Sequence, residues 1–97
     1  MSAYGNVPRR HFRKVAPWLA RLESATAGLR EDMKRGDRME GIRSLEDVWF
    51  WVGRTICEVL SSQAELAGNP QLANRAATAM ADAAAASVRA KQWLGAA

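Results

Sequence analysis

The chain has 97 residues, with 14 Lys+Arg against 10 Asp+Glu, one Cys and one His. That length holds one domain with a modest core. A single Cys and a single His exclude a four-ligand Cys/His zinc site and an intramolecular disulfide.

The net charge of +4 is unevenly placed. Residues 1–43 carry ten basic and five acidic side chains, whereas residues 44–97 carry four and five. No acidic residue precedes Glu23, and Arg9, Arg10, Arg13 and Lys14 make residues 1–16 a basic arm. Such an arm suits phosphate, an acidic protein surface or plain solvation. Eleven Arg to three Lys, with 19 alanines, suggest a GC-rich bacterial gene. Arg9-Arg10 resembles a twin-arginine export signal, but the apolar run at 15–20 is short, contains Pro17 and is closed by Arg21. An export core needs roughly 7–15 apolar residues, and a membrane span about 18 or more. The expectation is a soluble, cytoplasmic protein without membrane contact.

A first helix is expected over residues 17–35. Pro17 suits the first helical position, and Trp18, Leu19, Leu22, Ala25, Leu29 and Met33 follow helical spacing. Gly36-Asp37 supplies a stop and a turn. Asp37-Arg38-Met39-Glu40 has the form of a capping box, but Gly41 argues for one helical turn at most in a connector over 36–43.

The second helix is expected over 44–67, opened by Ser44-Leu45-Glu46-Asp47 as a second capping box. Leu45, Val48, Trp49, Val52, Ile56, Val59, Leu60 and Leu66 fall on one broad stripe, the expected core face. Gln63 interrupts that stripe, either at a dimer seam or exposed near the helix end. Gly68 is the expected left-handed terminator. Asn69-Pro70 then caps and starts a third helix over 70–94. Twelve of residues 72–97 are alanine, which favours helix and lets backbones approach closely. Arg75, Asp82 and Arg89, seven apart, mark its solvent line. The fold expected is all-α with three helices, the second and third an antiparallel hairpin, in a dimeric helical bundle.

Catalytic parts are missing from the pattern. His11 sits in the arm with no acid nearby to orient it. Cys57 has only Arg54 as a local cation and reads as a small packed residue on the helix flank. Glu31-Asp32 and Glu46-Asp47 are adjacent pairs, which diverge by about 100° on a helix and form no facing dyad. No P-loop or dinucleotide glycine pattern occurs. The chain is therefore expected to be no enzyme, with no metal, cofactor or small-molecule substrate.

Trp49-Phe50-Trp51 is the most informative local feature. Trp49 belongs to the expected core stripe, while Phe50 and Trp51 lie at about 140° and 240° from Leu45. One neighbouring helix cannot bury all three. Trp49, Phe50 and Trp51, edged by Arg54 and Cys57, are thus the candidate protein interface, and a homodimer is the simplest closure. The function expected is a small protein-binding regulator that occludes a surface of a larger partner, such as a transcription factor. The alternative is a nucleic-acid accessory protein whose Arg9, Arg10, Arg13 and Lys14 contact phosphates without reading sequence. A recognition role for the third helix is disfavoured, because Arg75, Arg89 and Lys91 stand among alanines.

Overall fold

A computed structural model describes residues 15–96, and the arm residues Arg9, Arg10, His11, Arg13 and Lys14 lie outside them. Four helices follow in order: α1 Ala16–Arg35, α2 Arg38–Ser61, α3 Gln63–Ala67 and α4 Pro70–Gly95. The described residues are all-helical, without strands. None of their helices is long and apolar enough to cross a membrane.

The corner after α1 is tight. Gly36 adopts φ 72°, the only positive φ among the described residues. The Asp37 N–H donates to the Asp32 carbonyl at 3.0 Å, and the Gly36 N–H to Met33 at 3.2 Å. These are the paired bonds of a Schellman stop. The same Asp37 accepts from the Glu40 N–H at 3.1 Å and so caps α2. The helix expected from Ser44 therefore starts at Arg38, and the 36–43 connector is mostly helix. Ser44 caps nothing; its hydroxyl donates to the Asp32 carboxylate, which also accepts from Arg35.

Gly41 does not break α2, because its bare backbone is where the Trp93 ring packs. A Cβ at Gly41 would stand 2.4 Å from Trp93 Cζ3. Arg38, one turn earlier, donates to the Trp93 carbonyl at 3.1 Å and to the Leu94 carbonyl. Its guanidinium also lies 5.8 Å from the Trp93 ring centroid. The start of α2 is thereby fastened to the end of α4.

The expected second helix is two pieces. Ser62, at φ −118° and ψ 30°, interrupts it, and five-residue α3 follows. The three-helix count thus becomes four. Gln63 is exposed, its amide donating to the Val59 carbonyl at 3.1 Å. Gly68 has φ −89° and is not left-handed, so α3 stops without that device. Asn69 caps α4 as expected, accepting from the Leu72 N–H at 3.1 Å, with Pro70 in the first turn.

Apart from Asp32 and Ser87, the buried residues of α1 and α4 recur at alternating spacings of three and four, a seam pattern. On α1 they are Val15, Leu19, Leu22, Thr26 and Leu29. On α4 they are Ala76, Ala79, Ala83, Ala86 and Ala90. On α2 the innermost row is Gly41, Val48 and Thr55, continued by Ser62 beyond its end. The small residues of α2 and α4 and the leucines of α1 together make the core between the three long helices.

Ion pairs report the orientation. Arg75 holds Glu23 through both carboxylate oxygens, at 2.9 and 2.7 Å, and Arg30 lies 3.8 Å from Asp82. Both pairs advance by seven residues, so α1 and α4 run parallel. The Asp32–Ser44 and Trp18–Trp51 contacts show α2 antiparallel to α1. Arg75 and Asp82, read as a plain solvent line, are exposed but tied to α1.

Candidate protein interface

One helical step from the buried row of α2 lies a second row, Ile42, Trp49 and Ile56, again seven apart. These side chains are 46%, 51% and 42% exposed, respectively. Met39, Phe50 and Leu60 flank them and are more exposed still. Trp49, Ile56 and Leu60 therefore leave the core stripe assigned to them by periodicity. Val48, Leu45, Val52 and Val59 from the same stripe do face inward. Size explains the split: α1 and α4 close onto the row of Gly, Val, Thr and Ser, which excludes the bulky row beside it.

The interface residues expected from sequence separate into three groups. Trp51 is half-buried and engaged within the chain. Its ring lies 5.9 Å from Trp18, meets Phe50 edge-on at 4.9 Å, and has Arg21 above it at 5.1 Å. Arg54 covers Trp18 at 4.8 Å, so it too belongs to this internal cluster. Trp49 and Phe50 face outward, as an interface requires. Cys57 is exposed and free, which overturns its reading as a packed residue.

The outward face extends onto α4. Lys91 sits 4.8 Å from the Trp49 ring centroid, and Val88 is exposed. Between the helices runs an apolar groove of about 220 Å³, lined by Trp49, Val52, Met80, Ala84, Ser87 and Val88. Sequence reasoning missed Met39, Ile42 and Val88. The seven-residue spacing of Ile42, Trp49 and Ile56 is the signal that could have found the row. Gly53 lies in the middle of this face, and a Cβ there would meet nothing within 4 Å.

No protein-family model matches the chain, and no curated protein or solved structure is similar to it.

A hollow of about 270 Å³ between α1 and α4 is lined by Arg30, Met33, Lys34 and Arg89. The Arg75 guanidinium, hydrogen-bonding Glu23, holds that carboxyl below its usual range, and Glu23 in turn raises the Arg75 value. Among the described residues no group of three or more His, Cys, Asp or Glu could hold a metal ion.

Proposed function

We propose that this protein is a small non-enzymatic regulator that binds another protein through the outer face of α2. It occludes a surface of a larger partner, in the manner of an antiactivator on a transcription factor. The observation that carries this reading is the run of large apolar side chains left exposed along one helix. Met39, Ile42, Trp49, Phe50, Ile56 and Leu60 are 42–70% exposed and contiguous on α2. Contiguous apolar surface of this kind, with an aromatic centre, is what a partner's pocket desolvates. Trp49 and Phe50 are the anchors, and Lys91 contributes a cationic edge. The test is affinity capture from the native host with nuclease treatment, comparing wild type with Trp49→Ala/Phe50→Ala. Partners retained by wild type and lost by the variant support the reading. Equal capture by both overturns it.

A nucleic-acid role is the second reading, favoured by the basic hollow of Arg30, Lys34 and Arg89 around Met33. It would add phosphate contacts to those of Arg9, Arg10, Arg13 and Lys14. Titration of random duplex DNA at several salt concentrations tests it, because phosphate contacts give a steep salt dependence.

A further inference from the structure

We propose that a second copy of this chain covers the outer face of α2, antiparallel to it, with Trp49 of each chain seated on Gly53 of the other. The inference rests on the protein-binding reading of this face and names its occupant.

The outer face has the periodicity of a helix–helix seam. Met39, Ile42, Glu46, Trp49, Gly53, Ile56, Leu60 and Gln63 follow one another at alternating spacings of three and four. The first seven belong to α2, and Gln63 opens α3. In an antiparallel pair the row of Ile42, Trp49 and Ile56 meets the row of Met39, Glu46, Gly53 and Leu60. The alignment that sets Trp49 on Gly53 also sets Ile42 on Leu60. Each contact then occurs twice, and the pair closes under a two-fold axis.

Gly53 is the residue that selects this alignment. A glycine inside an exposed helix weakens it, and none of the described residues uses the space above Gly53. The other glycine inside α2 shows what such a position is for. At Gly41 the Trp93 ring of antiparallel α4 lies so close that a Cβ would collide with it. Trp49, half exposed and one turn from Gly53, has Lys91 at its ring but no glycine to rest on among the described residues.

Charge and area agree with this choice. Glu46 is the only ionised side chain in the seam. A parallel, in-register pair would set Glu46 against Glu46 and leave a void between two copies of Gly53. The antiparallel pair sets each Glu46 beside Ile56 of the other chain, keeps the two carboxylates apart and fills both voids. Six large apolar side chains of α2, with Val88 of α4, are 42–70% exposed, the kind of surface from which a standard interface of about 800 Å² per partner is built.

Sedimentation over a wide range of protein concentration tests the proposal, with circular dichroism as the check on folding. The wild type is expected to dimerise. Gly53→Ala is expected to keep its helical spectrum, since alanine favours helix, yet to dimerise about tenfold or more weakly. Trp49→Ala is expected to weaken the dimer likewise. In a Cys57→Ser background, Ile42→Cys/Leu60→Cys is expected to give a covalent dimer on mild oxidation. A chain monomeric at every concentration overturns the proposal. So does a Gly53→Ala dimer of undiminished affinity, or a dimer in which the 42–60 pair does not cross-link. A monomer that still captures a protein through Trp49 removes the second copy and leaves the proposed function standing. A dimer in the stated register that captures nothing supports this inference and overturns that function.

Discussion

Two adjacent rows of α2 carry opposite kinds of residue and meet opposite fates. The row Gly41, Val48 and Thr55, with Ser62 just past the helix end, is small and buried. The row Ile42, Trp49 and Ile56, with Gln63 just past the end, is mostly large and exposed. Hydrophobicity alone would have turned the second row inward. What decides is size: the small row is where α1 and α4 pack onto α2, and the bulky row beside it is left outside. The lesson is that apolar bulk on this helix exceeds what the described residues cover, and the excess is concentrated on one face.

The comparison can be broken most severely from the inner side. Leu22 of α1 is fully buried, so Leu22→Ala is expected to cost about 2–5 kcal/mol in denaturant unfolding. Leu60→Ser on the outer face is expected to stay within about 0.5 kcal/mol when the protein is too dilute to associate. Similar losses at the two positions would erase the distinction between the faces.

Gly41→Ala comes next. Its Cβ must displace the Trp93 ring, an overpacking worth about 1–3 kcal/mol against the helix-propensity gain. Loss of stability with a changed Trp fluorescence spectrum is the expected result, and a more stable protein would deny the Gly41–Trp93 contact. Thr55→Val is expected to have the opposite sign. The Thr55 hydroxyl is buried with no hydrogen-bond partner among the described residues, so an isosteric methyl should stabilise by about 1 kcal/mol, read as a raised Tm.

The smallest effect lies outside both rows. The Glu23 carboxyl is held below its usual range by Arg75, so its folded form binds a proton less readily than its unfolded form. The pair therefore adds stability above the ordinary carboxylate range, and that contribution is lost as pH falls through the lowered value. Both side chains are 41% exposed, so solvent screening keeps the contribution small. Arg75→Ala should flatten the acid limb of the stability–pH curve slightly, and an unchanged limb would show the pair to be energetically silent.

Much of the fold was legible because local chemistry is decisive at its corners. Pro17, Gly36, Asn69 and Pro70 mark starts and stops that the structure uses. Two capping boxes competed for the start of α2, and the deciding fact, Trp93 resting on Gly41, lies half the chain away. Gly68 has the residue type of a left-handed stop without its backbone angle, and its N–H closes α3 on the Ala64 carbonyl instead. At the interface, Trp49-Phe50-Trp51 announced more aromatic surface than one neighbour can bury. Which ring would be spent internally depended on where Trp18, Arg21 and Arg54 stand in space, and Trp51 proved to be that ring.

The Arg38 clasp has a dynamic consequence. Helix ends normally fray first, because their last carbonyls lack partners and their amides open on their own. Here the final carbonyls of α4 are held by a side chain rooted in the first turn of α2. Neither end can unravel without releasing the other. In native-state hydrogen exchange the amides around Gly41 and those around Trp93 should open as one unit, and Arg38→Ala should split that unit in two.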